Sequence, residues 1–297
     1  MQMKDYIEIV DKKLNEYIPI TYPEDIFKSM RYTVLLPGKR LRPIMCIESA
    51  RLFGAKLEDT FPTACAIEML HAQTLIHDDL PCMDNDDFRR GKPSNHKVFP
   101  EAISVLAGDA LLTFAPQIIL KNSKNLSSEK LLKIMDEYFY AAGAYGVIAG
   151  QVVDIENERK QNNGLEISQN EKAEILKYLH LHKTGDLFRL SVRTGAIIGG
   201  ADEKSLEALT AFAEKFGIAF QIADDILDEE ATFSEIGKTP GKDKEAGKLT
   251  YTTLYGIKKA KEDLAELITE CRKILNDNGF NSEIFEEILT KISKQAA

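Results

Sequence analysis

Two short stretches crowd carboxylates closely enough to suggest metal chemistry. The first, HDDLPCMDNDDFRRG at 77–91, holds five aspartates with Arg89 and Arg90 directly behind them. The second, FQIADDILD at 220–228, holds Asp224, Asp225 and Asp228. Like charges this close destabilise one another unless a cation lies among them. Asp78, Asp79 and Asp84 form a DDxxxxD pattern, and Asp78 and Asp79 should end a helix because Pro81 cannot continue its hydrogen bonding. His71 stands seven residues before Asp78, about two turns back on the same face. Asp224 and Asp228 are one turn apart, and Gln221 joins their face three residues earlier. Hard oxygen donors spaced for partial coordination suit Mg²⁺, which keeps several waters and usually takes substrate phosphate as well. No soft ligands accompany them, which argues against zinc or copper. A solvated acidic helix end explains one such cluster. Two clusters, each closing an apolar helix and each followed by cations, favour the metal.

Those cations fall in four groups. Arg89, Arg90 and Lys92 follow the first cluster, and Lys238, Lys242, Lys244 and Lys248 stand among glycines in IGKTPGKDKEAGKLTY after the second. In LLPGKRLRP, Lys39 and Arg42 share a face at the start of a helix, where unpaired N–H groups favour anions. Lys183-Thr184 interrupts an otherwise helical stretch. Any one group reads as a solvated surface. Together with the aspartates they indicate two anion sites, one reached through metal and one held directly by arginine and lysine.

The elements that must position these groups read as helices. Tyr6, Val10, Leu14 and Tyr17 recur at helical spacing until Pro19, and apolar positions three and four apart mark 43–53, 62–80, 101–120, 128–156, 171–199, 203–228, 249–276 and 282–294. No run alternates as a half-buried strand would. Loops are predicted at Pro37-Gly38, 81–100, 121–127, 157–170, Gly199-Gly200 and 229–248. Two of them are long and charged and follow the aspartate clusters, and loops of that size in a helical domain are more often functional than idle. With no linker or repeat in view, a single all-α domain over 1–297 is expected.

Composition narrows the function. The chain of 297 residues is 44% apolar and 29% charged, a globular balance with enough length for a substantial core. Its net charge of −9 argues against a nucleic-acid surface, so an anionic substrate needs a local basic pocket or a metal bridge. Cys46, Cys65, Cys82 and Cys271 form no CxxC pair and fit free thiols in a reducing cytoplasm. The N-terminus, MQMKDYIEIVDKKLNEYI, is amphipathic and acidic, without a signal core. The longest apolar stretch, VLAGDALLTFAPQIIL, carries Asp109 and is expected to be too short to span a bilayer. Glu68 and His71 make an ExxH, but a di-iron bundle needs a second one and the chain has none. His77 reads as structural and Cys82 as merely filling space, and no Ser/His/Asp or Cys/His arrangement supplies a nucleophile.

Taken in order, GKRLRP at 38–43, HAQTLIHDDLPCMDNDDFRRG at 71–91, GDALL at 108–112, GQVVD at 150–154, KTG at 183–185, FQIADDILD at 220–228 and GKTPGKDKEAGKLTY at 237–251 resemble one family. It is the trans (head-to-tail) short-chain prenyl diphosphate synthases, the farnesyl and geranylgeranyl diphosphate synthase group. The spacer of four residues between Asp79 and Asp84 resembles the bacterial and plastid type. The resemblance implies an isoprenoid-synthase-type helical bundle around a deep central apolar cavity, a homodimer, and two aspartate motifs facing each other across the cavity mouth. It implies that Lys39, Arg42, His71 and Arg90 hold isopentenyl diphosphate. Arg89, Lys183, Thr184, Gln221, Lys238 and Lys248 would contact the allylic diphosphate. Asp78, Asp84 and Asp224 would be the principal ligands of two to three Mg²⁺ ions, with Asp79, Asp225 and Asp228 completing or supporting the sites. Metal and cations would stabilise the departing pyrophosphate, the isopentenyl double bond would attack the allylic cation, and a proton would pass to the released pyrophosphate.

Product length is expected from the helix before the first motif. Relatives with a well-defined farnesyl product commonly carry an aromatic residue four or five positions before the first aspartate, where this chain has Thr74 and Gln73. Leu70 lies one turn further back. Thr74 is small, and Gln73, polar and flexible, is a poorer stop than a ring. Farnesyl diphosphate is therefore the expected main product, with geranylgeranyl diphosphate as the alternative. A terpene cyclase would carry an NSE-type second site in place of DDILD. A noncatalytic prenyl-diphosphate-binding partner subunit should have lost metal ligands, and none is missing.

Overall fold

The computed structural model describes residues 1–165, 167–230 and 248–296, which divide into two compact units. The first unit comprises Met1–Tyr138 with Arg193–Ala201, and the second Phe139–Val192 with Asp202–Ala297.

In the first unit α1 (Met3–Tyr17) buries Tyr6, Val10 and Leu14, the stripe its spacing predicts. Burying each such side chain contributes roughly 1.5–3 kcal/mol. α2 (Glu24–Val34) has no counterpart in the predicted elements, although Pro23 at its N-cap and Glu24 and Asp25 in its first turn are helix-start signals. α3 (Leu41–Arg51) and α4 (Leu57–Asp78) follow. α4 starts earlier than its predicted position: Pro62 lies inside it, and the helix runs through it at the cost of one i→i−4 hydrogen bond. Every α4 residue from 60 to 70 is buried, so this helix forms the centre of the unit, with α1, α2, α3 and α6 (Glu101–Asn122) packed on it. The apolar stretch expected to be too short for a bilayer belongs to α6. Its 22 residues are long and apolar enough by length and composition, but it lies along α4 and buries Ala107, Leu111, Ala115 and Ile119.

The loop at 81–100 holds the strand pairing absent from the predicted elements. β1 (Phe88–Arg89) pairs antiparallel with β2 (Lys92–Pro93), and α5 (Asn95–Val98) follows. Arg90 and Gly91 have φ of 52° and 73°, the pair of positive values a two-residue type I′ turn requires.

Three predicted helices are divided. The stretch 128–156 is α7 (Ser128–Ala142) and α8 (Val147–Asn162), parted by GAYG at 143–146. The stretch 171–199 is α9 (Gln169–Leu179), a π-helical turn at His180–Gly185, and α10 (Asp186–Gly199). The stretch 249–276 parts at Gly256, φ 83°, into α12 (Tyr251–Tyr255) and α13 (Ile257–Asp277). α11 (Glu203–Glu230) is the long helix of the second unit, and α13, α14 (Glu283–Ser293) and the π turn pack on it. Buried Phe188, Phe212, Phe216 and Phe285 form its core, with Phe188 edge-on to Phe216 at 4.9 Å.

Candidate active site

The first motif is shaped by the way α4 ends. Beyond Asp78 the chain doubles back, so that the Asp84 N–H donates to the Asp78 carbonyl at 2.9 Å and the Asn85 N–H to the Leu80 carbonyl at 3.1 Å. The spacer of DDxxxxD thus closes a turn that brings the Asp84 backbone onto Asp78, and both side chains are half-exposed. Asp79 lies in the opposite environment. It is 2% exposed, and Arg89 donates to it from Nε at 3.0 Å and also from Nη2. Burial raises the Asp79 pKa even so, with Arg89 acting against the rise. Arg89 also approaches Asp86 at 3.5 Å, and Lys97 pairs with Asp87 at 2.7 Å.

The same unit gathers the cations. Arg42 is drawn down to about 10 by burial, and burial with Arg42, Arg90, Arg89 and Arg40 around it holds the His71 pKa well below the usual histidine value. His71 is therefore neutral at pH 7, with the positive charge of these arginines acting on it. Lys39 is exposed. Its neighbour Arg40, absent from the expected site residues, is buried with Glu68. The signal for this pair is in the sequence. An acid inside the apolar run ACAIEMLHA must be buried, and a buried acid needs a cation.

The second motif differs from its expected geometry. Asp224 is exposed, whereas Asp225 and Asp228 are each 7% exposed. Gln221 does not simply extend the face of Asp224 and Asp228. Its Nε2 donates to Asp225 Oδ1 at 2.9 Å, because four residues on a helix is also one turn. The Thr184 hydroxyl donates to Gln221 Oε1 at 2.8 Å, and the Tyr251 N–H donates to Asp225 Oδ2 at 2.7 Å. His180 Nε2 lies 3.8 Å from the same carboxylate, and burial lowers its pKa to about 4, so it too is neutral.

Lys183 and Thr184 sit on the π turn, a geometry that recurs at functional sites. Lys183 pairs with Asp154 of α8. The turn is clasped by backbone. A Cβ on Gly150 would stand 2.4 Å from the Lys183 nitrogen, and one on Gly217 would stand 2.8 Å from the Gly185 Cα. Lys248 lies 3.7 Å from Glu158. Lys238, with Lys242 and Lys244, lies outside the described residues.

Of the chain-length residues, Leu70 is wholly buried and Thr74 half-buried, its hydroxyl donating to the His71 carbonyl at 2.9 Å. Gln73 is not the flexible side chain expected. It is buried and meets His77 Nδ1 at 3.1 Å, while His77 Nε2 meets the Val105 carbonyl of α6 at 3.1 Å. One tautomer, protonated at Nε2, satisfies both contacts.

Among the described residues no three His, Cys, Asp or Glu side chains converge as a preformed cage. Asp78 with Asp84, and Asp224 with Asp228, offer a few hard oxygens each. That donor set fits Mg²⁺, which retains waters and binds phosphate oxygen besides protein.

These features agree with what the chain is similar to. Residues 23–291 match the polyprenyl synthetase family. A dimethylallyltranstransferase of Fischerella ambigua is 46% identical over 277 residues, 92% of this chain and 78% of that protein. A chloroplastic geranylgeranyl pyrophosphate synthase of Catharanthus roseus is 46% identical over 266 residues, 90% of this chain and 72% of that protein. The solved structure of an FPP/GFPP synthase from Zymomonas mobilis superposes with a TM-score of 0.84 at 31% identity, covering 98% of each chain. The chain belongs to the polyprenyl synthetase family, an all-α prenyltransferase of the isoprenoid-synthase fold that extends prenyl chains head to tail.

Proposed function

We propose that the chain, acting as one prenyl diphosphate synthase domain and as a homodimer, condenses isopentenyl diphosphate with dimethylallyl, geranyl and farnesyl diphosphates and releases pyrophosphate. One observation carries the reading: α4 ends in a turn where the Asp84 N–H closes onto the Asp78 carbonyl, and two turns back on the same helix stands His71, on which the charges of Arg42, Arg90, Arg89 and Arg40 act. Lys39, Arg42, His71 and Arg90 hold isopentenyl diphosphate. Neutral His71 offers a hydrogen bond there without adding to the crowded positive charge. Arg89, Lys183, Thr184, Gln221, Lys238 and Lys248 hold the allylic diphosphate, and these fixed donors stabilise the charge that grows on the leaving pyrophosphate. Asp78, Asp84, Asp224 and Asp228 hold two to three Mg²⁺ ions, which when bound supply Lewis-acid assistance to C–O cleavage. Asp79 and Asp225 brace the motifs through Arg89 and through Gln221 and Tyr251. The proton lost from the isopentenyl unit goes to the released pyrophosphate.

For the product, we favour the twenty-carbon geranylgeranyl diphosphate over the fifteen-carbon farnesyl diphosphate expected from the sequence. Gln73 is bound to His77 rather than available as a stop, and Thr74 is small. The plant relative carries the geranylgeranyl name. Farnesyl diphosphate remains the second reading, supported by the similarity to the FPP/GFPP synthase of Zymomonas. Exposed Val105, Leu106 and Leu120 on α6 support the homodimer, and four free cysteines support a cytoplasmic location. The deciding experiment is incubation with isopentenyl diphosphate, each allylic primer and Mg²⁺, followed by product-length analysis. A twenty-carbon product is expected, and Thr74→Phe should shorten it. A fifteen-carbon main product selects the second reading. No elongation from any primer leaves the noncatalytic partner subunit as the answer.

A further inference from the structure

Glu68 has no part in the scheme above, yet it is buried with Arg40 and Arg90 beside it. Its carboxylate is 3% exposed and accepts from Arg40 Nη1 at 2.7 Å, while Arg90 Nη2 lies further off at 3.7 Å. Arg40, whose side chain is wholly buried, also donates from Nε to Asp11 at 2.6 Å. Arg40 and Arg90 share a second acceptor, the Leu36 carbonyl, at 2.8 and 3.4 Å. Both arginines have positive φ, 48° and 52°, a backbone that bulky residues avoid unless their surroundings hold them in it. Room for the two guanidinium groups depends on Gly38, where a Cβ would stand 2.6 Å from Arg90 Nη1 and 3.4 Å from Arg40 Nη1.

The distances divide the labour. Arg40 takes the short contacts and is matched by two carboxylates. Arg90 is steered by the same carboxylate and carbonyl, but only at their outer edge, so its donors can turn to a stronger anion. Burial works against the Arg40 charge, yet Glu68 and Asp11 more than offset it.

We propose that Glu68, fixed by Arg40, is a positioning residue of the isopentenyl diphosphate subsite that aims Arg90 without neutralising it. The proposal rests on the reading of Arg42 and Arg90 as ligands of that diphosphate. It makes a prediction opposite in sign to that of charge alone. Arg40, Arg42 and Arg90 against Asp11 and Glu68 give a formal surplus of one positive charge, and removing Glu68 makes it two. If Glu68 merely dilutes the positive field, its loss tightens anion binding. If it aims Arg90, its loss weakens binding.

The test is steady-state kinetics of Glu68→Gln, Arg90→Ala and the double variant, with each substrate varied in turn. The expected result is that Glu68→Gln raises KM for isopentenyl diphosphate by about tenfold or more, the scale of one charged hydrogen bond. KM for the allylic primer and kcat at saturation should stay within about twofold, and in the Arg90→Ala background Glu68→Gln should add less than about twofold, since the two act as a unit. An unchanged or lower KM for isopentenyl diphosphate overturns the proposal, as does an equal effect in both backgrounds or on both substrates. Arg90→Ala with a normal KM for isopentenyl diphosphate overturns the subsite reading itself, a distinct result. Should Glu68→Gln not fold, Glu68→Asp keeps the buried charge but withdraws it by one methylene. A selective rise in KM for isopentenyl diphosphate then supports the role, and no rise removes it.

Discussion

Asp79 and Asp225 hold the same place in their motifs, and both are buried, but they are held by opposite means. Asp79 faces a cation, Arg89, through two donors. Asp225 faces neutral donors, the Gln221 amide and the Tyr251 N–H, with a neutral histidine beyond them. A guanidinium cancels a charge, whereas dipoles only solvate it. The first motif therefore carries a counter-charge beside the turn that brings Asp84 onto Asp78. Around Asp225 the described donors are neutral, the Gln221 amide and the Tyr251 N–H, and they solvate its charge. Two motifs that look alike in the sequence have different electrostatics.

The largest expected effect tests what the motifs share. Asp78→Ala and Asp224→Ala should each keep the fold and lower condensation by roughly a thousandfold or more, because several kcal/mol of charge stabilisation are lost. Chelator should silence the wild type, and Mg²⁺ should restore it. Near-normal turnover in either variant would refute a two-motif reaction. Arg89→Ala comes next, and it probes the difference. It leaves a buried carboxylate without its cation and should cost about 3–5 kcal/mol in denaturant unfolding, besides weakening the allylic substrate. Gln221→Ala removes one neutral donor while the Tyr251 N–H remains, at about 1–2 kcal/mol. Equal losses would erase the distinction between ion-paired and dipole-held aspartates. The smallest effect concerns His71. Its folded pKa lies well below the usual 6.5, so as pH falls below 6.5 the unfolded chain takes up a proton that the folded chain refuses. Stability should then drop by up to about 1.4 kcal/mol per pH unit from this group. His71→Asn should remove that part of the slope in melting experiments between about pH 6.5 and 5, and identical slopes would mean His71 is not held neutral.

Much of this is legible in the sequence, for physical reasons. Apolar spacing identifies α1, α4, α6 and α11 because a helix must bury one stripe, and Pro81 marks the end of α4. Spacing cannot see a break that preserves the stripe, which is why GAYG, the π turn and Gly256 read as continuous helix. α2 is missed because its buried face mixes Ser29 and Thr33 with Met30 and Val34 and so shows no apolar stripe, although Pro23 and its acidic first turn announce it. In the site, the aspartates and Arg42, His71, Arg89 and Arg90 are visible as residue types with an obvious charge. Their partners are not. Glu68 and Arg40 meet across 28 residues of chain, and Tyr251 reaches Asp225 across 26 through a backbone N–H. The acid inside ACAIEMLHA announces that Glu68 needs a cation but not which one, and the Tyr251 and His180 contacts with Asp225 leave no local signature. Gln73 escapes for a related reason, since its partner His77 is fixed from another helix through the Val105 carbonyl.

The backbone clasp around Lys183 and Thr184 bears on how this protein can change over generations. Most packing faults are forgivable, because a neighbouring side chain can shrink to absorb them. At Gly150 and Gly217 the neighbours are main-chain atoms of the π turn, which no second substitution can trim. Neutral drift is closed at these two positions, and a saturation library should return them as blank columns. Thr74 is half-buried, and its hydroxyl bonds a carbonyl of its own helix. On the proposed reading, single steps at Thr74 would change chain length, while the backbone of Lys183 stays where Gly150 and Gly217 hold the turn.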